Sequence, residues 1–510
     1  MANRIYDVCL ILEGSYPFVE GGVSRWMHFL IKSLPEISFT AVCISTTSKE
    51  KQRYKYEIPH NLSDIKVVYL SDYSPVGRKK SRKVIRTKQT DSLRAFHHRL
   101  FQKDLSSLDE VMSLFNPSHK ERLTLHDMIF SKESWELLLD FYKPDESDFS
   151  FIDYFWTFRV SHLSLFNILN AEVPRAKVYH TISTGYAGFM GAFASRTYKR
   201  PLILTEHGIY TKERKIDIAQ AEWIYASAGK KMKVEKDLGT LQNIWVRIFE
   251  SMGKFTYNTA ERIYTLYEGN RRQQVLDGAD PDKTFVIPNG IDIARYKKLY
   301  VDRNARNSLD SGKSLFSIGF VGRVVPIKDV KTFIRACKVV SLRVPNINIY
   351  IIGPTDENAK YYQECLELCS FMGIKELIKF VGQDDTMKYY SFLDLVVLTS
   401  VSEAQPLVVL EANCAGVPVV ASDVGACREL LEGNTEEDKA LGVSGIVTRV
   451  VDPADTADGI ITILTNDVMR KKMSIAGHKR VETFYRESDL NEKYLSVYKE
   501  FMKREDIGEL

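Results

Sequence analysis

The sequence predicts an α/β protein made of two doubly wound halves, each a mainly parallel sheet wrapped by helices. Three observations lead there. Short β-branched or apolar runs alternate with amphipathic stretches of helix length, the pattern of strands joined by crossover helices. The alternation occurs twice, in series separated by the polar segment 298–313, which reads as an interdomain linker. In the first series, the run at 7–12 passes straight into a glycine-rich loop.

The first series places strands at 7–12, 39–45 and 66–70. The alternation then stops. Residues 74–92 read SPVGRKKSRKVIRTKQTDS, basic and poor in large apolar side chains, and the following stretch to Asn170 is helix-like and rich in Phe, Leu and Trp. Residues 74–170 are therefore expected to be a mostly helical insertion. The basic stretch 78–88 reads as a solvated loop, with a patch for an anionic partner or membrane surface as the sharper alternative. Strands resume at 176–180, 201–207, 262–266 and 284–287. The second series has strands at 317–321, 348–352, 378–381, 395–399, 417–422 and 445–447, with helices such as 330–344 and 358–372 between them. An amphipathic stretch, 489–503, closes the chain. The expected domains are 1–300 and 312–486, with the terminal helix, 489–510, packing back on the first.

The 510 residues are enough for two cores. Seventy basic and 66 acidic residues leave a net charge of +4, which gives no global argument for a nucleic-acid partner. The seven cysteines are odd in number and sit mostly in apolar runs, so a reducing compartment is expected rather than a disulfide framework. Cys365 and Cys369 have no second Cys/His pair nearby and read as packing, not zinc ligands. No run of 18 apolar residues occurs, and the N-terminus reads as a buried strand rather than a signal peptide, so a soluble cytoplasmic protein is expected.

Ligands in open α/β sheets sit at the carboxyl ends of the strands, and four loops there carry candidate chemistry. Gly21 and Gly22 precede a helix starting near Ser24, and a helix N-terminus attracts anions. Read alone they are as well a tight turn as a phosphate loop, and no G-x-G-x-x-G follows either first strand. His207, in Thr205-Glu206-His207-Gly208, is read as either a structural histidine or a hydrogen-bonding group facing the substrate. His180 is a weaker candidate of the same kind. Gly322, Arg323 and Lys328 offer a turn and two cations suited to a diphosphate; two ordinary surface charges are the alternative. In the fourth loop, Glu403 precedes Gln405, Pro406 and Leu407, and Glu411 follows in an apolar helix. A carboxylate in such a helix needs a partner, and ribose hydroxyls suit it. Asp384-Asp385 reads as a polar loop rather than a metal site.

These residues resemble glycosyltransferase family four, the retaining enzymes of GT-B fold, over nearly the whole chain apart from the insertion. The most specific part is the Glu-x7-Glu motif, Glu403 and Glu411, with Gly322-Arg323 and Lys328 upstream. The runs CLILEGSYPFVEGGVSRW, TEHGIYTKERK, GRVVPIKDVKTFIRA and SEAQPLVVLEANCAG resemble the transferases of Pel exopolysaccharide synthesis. The resemblance implies two Rossmann-like domains facing across a cleft that closes on the donor. It implies that Arg323 and Lys328 hold the donor diphosphate, Glu403 the donor sugar and Glu411 the ribose. It places His207 near the reactive carbon, and Gly21 and Gly22 on the phosphate and acceptor side. It further implies a UDP-sugar as co-substrate with no other cofactor and no metal, a polysaccharide acceptor, and work beside a membrane polysaccharide synthase complex on the inner face of the membrane. Two departures bear on the donor sugar: Ala404-Gln405-Pro406 stands where many members have Gly-Phe-Pro, and Asp329 stands where a glycine often follows the lysine. The residues leave open an epimerase on the same fold or a nucleotide-sugar-binding subunit of a synthase.

Overall fold

The computed structural model describes residues 4–48, 53–72, 87–101, 108–116, 122–142, 150–220, 240–309 and 315–504. It divides into two compact units: Met1–Thr265 with Arg271–Phe285 and Tyr494–Leu510, and Leu266–Asn270 with Val286–Lys493.

In chain order the first part of the molecule contains β1 (Tyr6–Glu13), α1 (Gly22–Ser33), β2 (Phe39–Ser45) and β3 (Leu62–Tyr69). The insertion follows as α2 (Thr87–Phe101), α3 (Leu108–Phe115), α4 (Leu125–Phe130), α5 (Lys132–Asp140) and α6 (Phe151–Asn170). Then come β4 (Ala176–Thr181), α7 (Tyr186–Tyr198), β5 (Leu202–Glu206), α8 (Tyr210–Gln220), α9 (Thr240–Thr259), β6 (Arg262–Thr265), α10 (Glu268–Leu276) and β7 (Thr284–Val286). The sheet order is β3-β2-β1-β4-β5-β6-β7. Leu10 of β1 lies opposite Ala41 on one side and His180 on the other, both pairings parallel. β1 and β2 are almost continuously apolar because helices cover both faces of a parallel sheet. In α1 the buried Ser24, Met27, Leu30 and Ile31 fall at helical spacing, so one stripe faces the core.

The second part contains α11 (Ile293–Leu309), β8 (Phe316–Val321), α12 (Val330–Arg343), β9 (Ile347–Ile352), α13 (Ala359–Phe371), β10 (Ile378–Gly382), α14 (Thr386–Tyr390), β11 (Leu395–Leu398) and α15 (Leu407–Cys414). It continues with β12 (Val419–Ser422), α16 (Cys427–Glu432), α17 (Glu436–Lys439), β13 (Gly445–Thr448), α18 (Pro453–Thr465), α19 (Asp467–Phe484) and α20 (Glu487–Met502), which from Tyr494 on belongs to the first unit. Its sheet order is β10-β9-β8-β11-β12-β13. Both sheets reverse direction of winding beside their first strand, between β1 and β4 and between β8 and β11. Those are the switch points where open α/β sheets take ligands.

One sequence expectation needs revision. The segment 298–313 is not a loose linker: α11 runs through it to Leu309. Arg303 is buried there and donates to the carbonyls of Ala415, Tyr390 and Leu393. A guanidinium that caps three carbonyls looks like surface charge in a one-dimensional pattern, which is why the helix was missed. The basic stretch 78–88 lies outside the described residues up to 86; residues 87 and 88 begin α2. The insertion itself is five described helices. α2, α3 and α6 meet α7 and α9 around an apolar cavity of about 40 Å³ lined by residues such as Phe96, Phe115, Phe166 and Met252. All seven cysteines are buried and unbridged. No described helix is long and apolar enough to cross a membrane.

Candidate active site

In the second unit the loops after β8 and β11, on either side of the switch point, are tied together. The Thr399 hydroxyl donates to the carbonyls of Lys328 and Asp329, and the Val401 N–H donates to Ile327 O. Those backbone ties set Lys328, at the end of the 3-10 turn Pro326–Lys328, against Glu403. The Lys328 ammonium pairs with Glu403 Oε1 at 2.5 Å, and the two side chains are 21% and 13% exposed. Ser400 Oγ donates to the same carboxylate oxygen at 2.6 Å. Gly322 has φ +157°, a conformation L side chains rarely adopt, and lies under the Lys328 aliphatic stem. Arg323 projects outward, half exposed, and pairs with Glu357. Two cations on one loop, each balanced by a carboxylate, suit a polyanion that exchanges with those carboxylates.

Asp329 occupies the position where a glycine was the commoner expectation. Its φ is +45° and ψ +53°, the left-handed region, which Asp tolerates better than most residues. Its side chain accepts from Thr332 N and caps α12. The departure is therefore conformationally neutral: Asp adopts the backbone that glycine would and adds a cap.

α15 carries the rest of the site. Pro406 is the N-cap residue rather than part of the first turn, and no side chain caps the helix. Its first amides stand at the positive end of the helix dipole. Glu411 is partly buried in a helix whose Val409, Leu410, Ala412 and Cys414 are buried and whose Leu407 and Val408 are half-buried. Its carboxylate accepts from the Tyr390 hydroxyl at 3.0 Å. Gln405 is buried, and its Oε1 accepts from the backbone N–H of Asn289 at 2.6 Å. That oxygen ties the segment before α15 to the backbone at Asn289.

The sequence missed the groups that hold the 403–404 turn. Gly425, φ +54°, comes so close that a Cβ there would lie 2.3 Å from the carbonyl oxygens of Glu403 and Ala404, and Ala426 N donates to Ala404 O. Only a glycine fits that approach. The one available signal was a glycine just past a strand. Tyr390, Asn289 and Glu357 gave no sequence signal at all, since each acts through a partner far along the chain.

In the first unit, Gly21 and Gly22 lead into α1 at the end of the loop after β1. A Cβ at either would meet nothing within 4 Å, and Gly21 is extended, so neither packing nor φ requires glycine there. His207 follows β5, buried, with its ring 4.6 Å from Trp26. Burial pushes its pKa down to about 4, so it is neutral near pH 7. His180 is the penultimate residue of β4. It is bonded to Tyr498 and Thr205 and held neutral by burial and by the nearby His207, so it is a structural histidine. Neighbouring Glu206 is buried and accepts from Thr184 Oγ1, Tyr210 N, Tyr257 Oη and Gln274 Nε2. Desolvation raises its pKa, against those four donors. Tyr210 also donates to Glu13 at 2.6 Å, linking the ends of β1 and β5.

Among the described residues no group of three or more His, Cys, Asp or Glu side chains is placed to hold a metal ion. Asp384 is engaged by Lys388 and the Tyr389 hydroxyl.

Residues 301–480 match the family Glycosyl transferases group 1, which defines the class of the second unit as a glycosyltransferase domain. Residues 6–282, more than half of the chain, match DUF3492, described as a domain of unknown function, and the chain belongs to that family. Relatives include the D-inositol 3-phosphate glycosyltransferases of Nocardia farcinica and Geodermatophilus obscurus. The first is 26% identical over 60% of this chain and 64% of that protein, the second 30% identical over 41% and 46%. The match thus spans less than two thirds of either relative. Anabaena HepE in complex with UDP and glucose superposes with a TM-score of 0.55 at 15% identity, over 97% of this chain and 99% of that one. Sucrose-phosphate synthase from Thermosynechococcus elongatus gives 0.57 at 14%, over 98% and 99%. Two parallel-sheet α/β units of seven and six strands are the GT-B fold.

Proposed function

We propose that the chain is a retaining hexosyltransferase that moves glucose or a close relative from a UDP-sugar to a growing exopolysaccharide, in the manner of PelF, whose motif runs it resembles. The observation that carries the reading is the Lys328–Glu403 pair at the second unit's switch point, one turn ahead of the uncapped N-terminus of α15. Lys328, Arg323 and the α15 amides hold the diphosphate and stabilise the charge that develops on it as it leaves. Glu403 takes donor hydroxyls and orients Lys328; Glu411, steadied by Tyr390, takes the ribose. The bond between the anomeric carbon and the diphosphate oxygen breaks as the acceptor oxygen bonds to the same face. The acceptor proton passes to a phosphate oxygen, and UDP leaves. That route uses no enzyme nucleophile and no metal. The acceptor is a polysaccharide, and the site of action is the cytoplasm beside a membrane synthase complex.

The test is calorimetric titration of the whole chain with UDP, UDP-glucose, UDP-GlcNAc, GDP-mannose and NAD, without metal, on wild type and Glu411→Ala. UDP-selective binding that the variant loses supports the reading. Binding of NAD alone, or of no nucleotide, overturns it.

A further inference from the structure

The loop between β1 and α1 carries, besides Gly21 and Gly22, a set of rings that the donor chemistry does not use. Phe18 stacks on Tyr54, with centroids 5.4 Å apart and planes 22° from parallel. Tyr54 nevertheless stays 56% exposed. Because Phe18 covers one face, that exposure comes from the other face and the ring edges. Behind the pair, Tyr56 packs against Tyr16 at 5.3 Å and His28 at 5.1 Å. Lys55 N donates to Pro17 O, so the two loop segments are joined by backbone as well as by rings. Tyr16 and Phe18 lie in the same loop as the Gly21–Gly22 turn, so the aromatic surface and the glycine turn share one segment of chain.

A single exposed tyrosine needs no explanation. A tyrosine backed by a second ring, tethered on both sides and joined to the loop at a switch point is a flat, pre-positioned surface. We infer that the Phe18–Tyr54 pair is the platform for a pyranose ring of the saccharide acceptor. The inference rests on the transferase reading above and deepens it by naming the acceptor subsite. The chemistry selects the ligand class. An aromatic face carries negative quadrupole potential, and the C–H bonds on one side of a pyranose present the complementary positive surface. Sugars whose hydroxyls are equatorial, such as glucose and N-acetylglucosamine, offer such a face. The nucleobase is not the partner, because the residues suited to ribose and diphosphate belong to the second unit.

The experiment measures binding of cellohexaose, chitohexaose and maltohexaose to the full chain by saturation-transfer NMR and titration. Wild type, Tyr54→Ala, Tyr54→Phe and Phe18→Ala are compared, each also titrated with UDP. Tyr54 is exposed, so its truncation leaves the core intact. The expected result is binding of at least one hexaose, weakened about three- to tenfold by Tyr54→Ala, the range for loss of one stacked ring, and retained by Tyr54→Phe. UDP affinity stays within twofold throughout. If wild type binds UDP but no hexaose, or if Tyr54→Ala binds the hexaose as wild type does, the platform is wrong while the transferase reading stands. If wild type fails to bind UDP, the transferase reading falls and the acceptor role falls with it.

Discussion

Replacing Lys328 by Met removes the cation from a pair whose members are 21% and 13% exposed and leaves Glu403 with the Ser400 hydroxyl as its remaining described side-chain partner. Breaking a fully buried pair costs about 3–5 kcal/mol, and the residual solvent contact here lowers that to about 2–3 kcal/mol. Glu403→Gln in the Lys328→Met background removes the uncompensated charge and returns stability to within about 1 kcal/mol of wild type. Turnover behaves differently. If Lys328 stabilises the leaving diphosphate, both variants lose about 10²–10³ in kcat, the effect of deleting one electrostatic contact to a developing charge. Urea unfolding reads the first quantity, and UDP release from UDP-glucose in the presence of acceptor reads the second. A purely structural Lys328 leaves the turnover of the single variant near wild type once it is folded, whereas a catalytic one loses turnover in the single variant while the double variant recovers stability. Lys328→Met with turnover within threefold of wild type would refute the assignment.

Glu206→Ala leaves four buried donors, from Thr184, Tyr210, Tyr257 and Gln274, without their acceptor, and is expected to destabilise the chain by about 3–5 kcal/mol, seen as a large drop in Tm; a change below about 1 kcal/mol would mean the network reorganises at little cost. Acid should unfold the protein through its buried histidines. His162 stacks on Phe158 and is held by burial at a pKa of about 4, below its unfolded value. Between about pH 6.5 and 4 the unfolded chain therefore binds a proton that the folded chain does not, so stability falls as pH falls, by about 1.4 kcal/mol per pH unit for each such group. Above about pH 6.5 this histidine gives no slope. Unfolding free energies measured from pH 7 to 4.5 test this, and His162→Phe should remove one group's share of the slope.

How much of this was legible beforehand divides along a physical line. The strands at 39–45, 317–321 and 348–352 were readable to within a residue, because their buried positions are filled mainly by apolar residues. The two-sheet α/β class followed from the same runs. The loops that follow β8 and β11 were readable as sites because glycine, cations and carboxylates at strand ends are otherwise expensive or useless there. Burial of polar groups was not readable. Arg303 and Glu206 resemble surface charges in the chain, and Gln405 resembles a ligand contact; each is instead satisfied by groups between 4 and 116 residues away. Nor could the sequence say that Asp329 would stand in for a glycine, since that depends on a left-handed φ fixed by the turn around it. Local pattern determines where apolar faces must go, for that is a property of spacing along one chain. Which donor meets which carboxylate is decided only when distant segments are brought within hydrogen-bonding range, because those energies fall off over an ångström while the sequence separations run to tens and hundreds of residues.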